Sequence, residues 1–126
     1  MNRHQKNVLI IEHEAIIALD VKKRLENHGY NIIGLISTLD ETLKNLKNLK
    51  DVDLILLDSG VTDFSNNILV AEKIYKFIKT PLLLLTSHID DHINSLCSKY
   101  KSVKIIEKPF ENEELIDAVG NILSDN

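Results

Sequence analysis

The chain has 126 residues with 15 basic and 19 acidic side chains, which give a net charge of −4 at pH 7. This length fits one domain with a single core, and the mildly acidic balance without a Lys/Arg block disfavours direct binding to nucleic acid. The only cysteine, Cys97, excludes an internal disulfide framework, and without a signal-peptide core or a membrane-spanning apolar run we expect a cytoplasmic protein with no membrane insertion.

Short apolar runs recur along the chain, and each is followed by a longer segment in which apolar residues have helical spacing. The runs are Val8 to Ile11, Ile32 to Ile36, Leu54 to Leu57, Leu82 to Leu85 and Val103 to Ile106. All but the last lack internal charge, as expected of parallel strands that are covered on both faces. Strands that alternate with helices in this way predict an α/β fold with three layers and right-handed crossovers.

The helical segments carry apolar residues three and four positions apart, which predicts one apolar face for each helix. The sets are Ile16, Ala18, Leu19, Val21 and Leu25; Leu39, Leu43, Leu46 and Leu49; Ile68, Ala71, Ile74 and Ile78; Ile89, Ile93, Leu96 and Tyr100; and Leu115, Val119, Ile122 and Leu123. Gly29 is expected to end the first helix, and Pro81 to precede the fourth strand. Thr38 with Glu41 three residues later predicts a capping box for the second helix.

Polar side chains follow the ends of the first, third, fourth and fifth strands. They are Glu12 and His13, Asp58, Thr86, and Glu107 with Lys108 before Pro109. In an open parallel sheet, ligands bind beyond the carboxyl ends of the strands. Each residue alone has an ordinary explanation, such as a turn residue for Asp58 or a solvated side chain for Lys108. Their shared position at one edge of the sheet is what indicates a site.

The segments VLIIEHE, DLILLDS, LLLLTS and IIEKPF, in this order, resemble the receiver domain of two-component response regulators, including the chemotaxis regulators. The spacing between the segments agrees with this family, and the resemblance covers nearly the whole chain. It implies a doubly wound, flavodoxin-like (βα)5 fold with a five-stranded parallel sheet in the order 2-1-3-4-5. One receiver domain is then expected to occupy residues 1–126.

The resemblance also implies a role for each site residue. Asp58 matches the phosphoacceptor, Thr86 the hydroxyl that bonds a phosphoryl oxygen, and Lys108 the ammonium that pairs with another. Glu12, Asp58 and the backbone carbonyl near Gly60 match the Mg²⁺ ligands. Lys108–Pro109 is expected to be a cis peptide bond, since this family uses one there.

The implied partners are a sensor histidine kinase or phosphotransfer protein and a downstream protein target. Output is expected through the face formed by the fourth helix, fifth strand and fifth helix, with side chains that include His92, Ser95, Lys99 and Lys104. The chain ends just after the last helix, so we expect no attached output domain, but the chain could equally be one domain excised from a longer kinase or regulator. We expect a phosphoacceptor without separate substrate turnover, and homodimer formation is left open.

Three departures from the family pattern bear on function. His13 stands where the family has a second acid, a direct Mg²⁺ ligand, and imidazole is a poor ligand for this hard cation. This replacement predicts weakened Mg²⁺ binding and slower phosphorylation. Ile105 replaces the usual Tyr or Phe, and an isoleucine cannot swing a large ring between two environments, which argues against the usual two-state coupling. The loop SGVTDFSNN does not show the family's usual Pro and Gly positions, so altered geometry near Gly60 is expected.

Alternatives remain at this stage. His13, Asp58 and His88 could together favour Zn²⁺ or Mn²⁺, although His88 and His92 are also explained as solvated residues of a loop and a helix. A pseudo-receiver, which uses the same fold for protein interaction without phosphorylation, is favoured by His13, Ile105 and the loop after Asp58, whereas Asp58, Thr86 and Lys108 favour the phosphoacceptor. A phosphatase of the haloacid dehalogenase type is disfavoured, because Gly60 occupies the position of its general acid.

Overall fold

The computed structural model describes residues 5–38, 41, 44, 51–58, 72–73, 76, 79–87, 89 and 91–124, apart from the side chain of residue 92. The strands are β1 (Asn7–Ile11), β2 (Asn31–Ile36), β3 (Leu54–Asp58), β4 (Leu82–Thr86) and β5 (Val103–Glu107). Three helices lie fully within this part of the chain, α1 (Ala15–Glu26), α2 (Asp91–Lys99) and α3 (Asn112–Ser124). The apolar sets predicted for the second and third helices of the chain fall outside the described residues.

The five strands form one parallel sheet in the order β2-β1-β3-β4-β5, which confirms the predicted topology. The chain leaves β1 to form β2 on one side and returns to form β3 on the other side. The strand order therefore reverses between β1 and β3, and the crevice for a ligand lies beyond the carboxyl ends of these two strands.

The two faces of the sheet carry separate apolar clusters, because successive side chains of a strand point to opposite faces. On one face Leu9, Ile11, Ile55 and Leu57 pack with Ile93 and Leu96 of α2. On the other face Val8, Ile10, Leu54 and Leu56 pack with Ala18, Val21 and Leu25 of α1 and with Leu115, Val119 and Leu123 of α3. The central strands β3 and β4 are buried along their whole length, which fixes the positions of their polar last residues.

The apolar face predicted for the first helix is partly wrong. Ala18, Val21 and Leu25 are buried, whereas Ile16 is 83% exposed and Leu19 is 54% exposed. A rotation of about 100° per residue places Ile16 and Leu19 on the side of α1 away from the buried stripe. The sequence of α1 therefore contains a second apolar surface, and it lies just after the end of β1.

The edge strand β2 also differs from the expectation of cover on both faces. Its burial alternates along the strand, and Ile33 and Leu35 are exposed. Because β2 pairs with β1 alone, it lies at the margin of the sheet, where the helices cover each face only in part. The uncharged sequence of this strand is thus not a sign of full burial.

The predicted helix ends are confirmed at Gly29 and Thr38. Gly29 has a φ of 90° and donates its N–H to the carbonyl of Glu26 at 3.0 Å, while Tyr30 donates to the carbonyl of Leu25 at 3.2 Å. These two bonds form a Schellman motif, in which the left-handed residue is usually glycine. The Thr38 hydroxyl accepts a hydrogen bond from the N–H of Glu41 at 3.1 Å, which is one half of a capping box.

In the described part of the chain, no helix has the length and apolar character needed to cross a bilayer.

Alanine substitutions at two glycines are expected to have opposite effects on stability. A Cβ at Gly29 would meet no atom within 4 Å, so Gly29→Ala acts through its left-handed backbone and destabilises the fold by about 1 kcal/mol. Gly120 lies within α3, where a Cβ would make ordinary contact with Tyr30 at 3.7 Å, so Gly120→Ala stabilises by up to about 1 kcal/mol. Urea unfolding midpoints measure both changes, and an unchanged or higher midpoint for Gly29→Ala would contradict this reading of the Gly29 turn.

Candidate functional site

The carboxyl edge of the sheet brings together the polar residues predicted from the strand ends. Asp58 is the last residue of β3 and Thr86 the last of β4, and both residues are about 1% exposed. Glu12 follows β1 and is also buried, while Lys108 follows β5 and is partly exposed. Burial of carboxylates is unfavourable unless charged or hydrogen-bonding partners accompany them, so this group marks the candidate site.

Lys108 provides a charged partner for the buried Asp58. Its ammonium nitrogen contacts Oδ1 of Asp58 in an ion pair. The backbone N–H of Lys108 donates to the carbonyl oxygen of Thr86 at 2.8 Å, which ties the residue after β5 to the end of β4. The Lys108–Pro109 peptide bond is cis, as the resemblance implies. The ends of β3, β4 and β5 are therefore joined through one lysine.

Glu12 is held by the backbone at the start of α1. Its Oε2 accepts a hydrogen bond from the N–H of Glu14 at 3.0 Å, and its own N–H donates to the carbonyl of Ile36 at 2.9 Å. Burial raises the pKa of the Glu12 carboxyl above its usual range; the Glu14 N–H opposes this increase, and the nearby Asp58 carboxylate adds to it. The sequence pattern contains no signal for this contact between the Glu14 backbone and the Glu12 carboxylate, so it was not predicted.

His13 lies at the mouth of the site with its side chain 46% exposed. Its Nδ1 is 3.3 Å from Oε2 of Glu12 and 3.9 Å from Oδ2 of Asp58. The other ring nitrogen, Nε2, is 3.9 Å from Oε1 of Glu14. The two oxygens of Asp58 therefore face different groups, with the Lys108 ammonium at Oδ1 and the His13 ring on the side of Oδ2.

Glu12, His13 and Asp58 offer three ligand atoms that lie within 4.8 Å of one another and could hold a metal ion. Mg²⁺ requires hard oxygen ligands in an octahedral arrangement, and one of these three donors is an imidazole nitrogen. The described donor set therefore fits Mg²⁺ poorly. Gly60 and the rest of the loop 59–67 lie outside the described residues, as do His88 and the side chain of His92.

Ile105 lies three residues before Lys108 on β5 and is partly buried against the apolar cluster that includes Leu96. It also lines a cavity of about 340 Å³ with Leu83, Lys104, Ala118, Asn121 and Ile122. The position where an aromatic ring was expected from the resemblance thus holds a smaller side chain beside an open cavity between β5 and α3.

Comparison with known proteins agrees with this architecture. The family model for the response regulator receiver domain matches residues 8–120. The phyllosphere-induced regulator PhyR of Methylorubrum extorquens is 29% identical over 116 residues, which cover 92% of this chain and 43% of that protein. The cell cycle response regulator CtrA of Brucella ovis is 30% identical over 118 residues, 92% of this chain and 49% of that protein. The chain thus spans less than half of the length of these curated relatives.

A solved structure shares the fold at lower sequence identity. A CheY-like response regulator receiver domain protein from Methanospirillum hungatei superposes with a TM-score of 0.82 at 21% identity, covering 97% of this chain and 96% of that one. Receiver domains of response regulators interact with kinases or phosphotransfer proteins and with downstream targets, and they generally bind Mg²⁺ through acidic residues. The family match over residues 8–120 and the order of the five strands lead to one conclusion: the chain belongs to the response regulator receiver domain family.

Proposed function

We propose that this receiver domain accepts a phosphoryl group on Asp58 in two-component signalling. The observation that carries the proposal is the buried Asp58 carboxylate with the Lys108 ammonium at Oδ1, next to the strand end that carries Thr86. A carboxylate is the nucleophile needed to form an aspartyl-phosphate. A cation beside it offsets the charge of the incoming phosphoryl oxygens.

The proposed reaction requires little from the protein beyond positioning of the reacting groups and stabilisation of their charge. A carboxylate oxygen of Asp58 attacks phosphorus, and the new O–P bond forms as the bond between phosphorus and the donor breaks. The donor is a phosphohistidine of a partner protein or a small acyl phosphate, and it leaves with the bonding electron pair. Lys108 moves from the carboxylate to a phosphoryl oxygen, and the Thr86 hydroxyl donates a hydrogen bond to another. The product is the modified chain itself, so no separate substrate is turned over.

The side chain of Asp58 is almost fully buried, so a donor must approach over the rim of the crevice. The exposed apolar residues Ile16 and Leu19 of α1 lie in the helix that begins four residues after the end of β1. We place the kinase or phosphotransfer partner on this apolar surface, because it adjoins the crevice and would be covered in the complex.

A second function is favoured by Ile105. In a pseudo-receiver, the same fold binds a protein target without a phosphorylation signal. Ile105 packs against the core and lines the cavity between β5 and α3, and as an isoleucine it has no aromatic ring on whose movement a target at this face could depend. Phosphorylation of Asp58 in the isolated chain distinguishes the two functions.

Asp58→Asn is expected to abolish phosphorylation, because the amide is not a nucleophile for phosphorus under these conditions. Incubation with acetyl phosphate followed by intact mass spectrometry should show one added phosphoryl group in the wild type and none in the variant. Asp51→Asn is the matched control: Asp51 is exposed, and its φ of 62° is one that asparagine tolerates. If neither the wild type nor Asp51→Asn gains a phosphoryl group, the result favours the pseudo-receiver.

Removal of the lysine charge is expected to slow the reaction without abolishing the nucleophile. Lys108→Gln should lower the initial rate of phosphorylation by about 100-fold, which is typical for loss of one group that stabilises a transition-state oxygen. Lys104→Gln is the control, since Lys104 lies on β5, the strand that Lys108 follows, and its side chain is exposed. The same mass assay, sampled over time, measures these rates. Equal phosphorylation rates for the two variants would show that Lys108 does not take part in the proposed reaction.

A further inference from the structure

We propose that Glu12, His13 and Asp58 form a site for a borderline transition ion, with Zn²⁺ as its probe, in place of the Mg²⁺ generally bound by receiver domains. The inference rests on the proposed function only in treating Asp58 as the phosphoacceptor beside the ion. Ion binding itself depends on three side chains at the ends of β1 and β3.

The distances between the donor atoms are the first observation that supports a Zn²⁺ site. Bonds of about 2.0 to 2.1 Å in a tetrahedral site separate neighbouring ligand atoms by roughly 3.3 Å. An octahedral Mg²⁺ site brings adjacent ligands to about 2.9 Å. His13 Nδ1 lies 3.3 Å from Glu12 Oε2, and 3.9 Å from Asp58 Oδ2. The closer pair has the tetrahedral separation, and the longer distance must shorten by about 0.6 Å when an ion binds.

The orientation of the His13 ring is the second observation that supports this site. Both short distances use Nδ1, and the opposite nitrogen, Nε2, faces the Glu14 carboxylate at 3.9 Å. Metal-bound histidines usually donate their second ring N–H to a carboxylate or carbonyl, which fixes the tautomer that presents a lone pair to the metal. Glu14 is positioned for this role, and its own N–H already holds Glu12.

The charges of the three side chains are the third observation that supports this site. Asp58 contacts the Lys108 ammonium through Oδ1, and its Oδ2 faces His13, 3.9 Å from Nδ1. Two carboxylates with a neutral imidazole supply enough negative charge for a divalent ion. Imidazole is a preferred ligand of Zn²⁺ and related ions and a poor one for Mg²⁺, so the donor chemistry selects the borderline class.

Titrations of the metal-stripped, untagged chain with Zn²⁺ and with Mg²⁺, both without phosphodonor, test this inference. The wild type is expected to bind one equivalent of Zn²⁺ with a perturbed NMR signal of the His13 ring. In His13→Asp, the ratio of Zn²⁺ affinity to Mg²⁺ affinity is expected to fall at least tenfold, since loss of even a supporting residue costs about 10- to 100-fold. His28→Gln is the control, because the His28 ring lies at the far end of α1 and bonds the carbonyl of Arg24.

The outcomes separate this inference from the proposed function. An unchanged affinity ratio in His13→Asp, or Zn²⁺ binding that leaves the His13 ring signal unmoved, overturns the metal assignment even if Asp58 is phosphorylated. Zn²⁺ binding through His13 in a chain that acetyl phosphate never modifies supports the metal assignment and removes only the phosphoacceptor function. Circular dichroism of His13→Asp confirms that the half-exposed substitution leaves the fold intact.

Discussion

The ion pair between Asp58 and Lys108 is the contact on which the arrangement of the site depends. Asp58 ends a strand that is buried along its whole length, so its carboxylate is withdrawn from water together with the apolar residues before it. Such burial costs several kcal/mol for an isolated charge, and a close ammonium is needed to offset it. Lys108 reaches Asp58 across the end of β4, because its own N–H is fixed to the Thr86 carbonyl. The ends of three strands are therefore coupled by one charge interaction.

The second constraint is repulsion among the acids of the crevice. Glu12 and Asp58 are both buried, and the Asp58 carboxylate contributes to the raised pKa of Glu12. A third acid at position 13 would add repulsion that only a bound cation could relieve. His13 instead places a neutral or positive ring against both carboxylates, so the crevice is less dependent on a cation for its stability. The same residue that fits an Mg²⁺ site poorly thus makes the acid pair easier to retain without a cation.

Much of the fold follows from the sequence, because uncharged runs and helical spacing are direct consequences of burial in a three-layer domain. The order of the strands required the family resemblance, since periodicity does not say which strands are neighbours. The buried face of α1 was partly mispredicted, because the helix carries two apolar stripes. Spacing alone does not say that the stripe with Ala18, Val21 and Leu25 faces the sheet while Ile16 and Leu19 face outward. The site residues were predictable as strand ends. The division of the two Asp58 oxygens between Lys108 and His13 depends on side-chain rotamers, which the sequence pattern does not contain.

The position of Ile105 on β5 affects how a signal from the site could reach the surface beside α3. Lys108 lies three positions after Ile105 and just beyond the end of β5, about 10 Å away along an extended chain, so a signal from the site must pass along β5 to reach the cavity beside α3. A large ring could span part of this distance by changing its rotamer, whereas the isoleucine side chain is short and packs against the core. The Lys108 N–H bonds the Thr86 carbonyl at 2.8 Å, and this bond links the end of β5 to the end of β4. In the proposed phosphorylation, where Lys108 changes its partner, we therefore expect a signal to pass through the backbone of β4 and β5 rather than through the side chain at position 105.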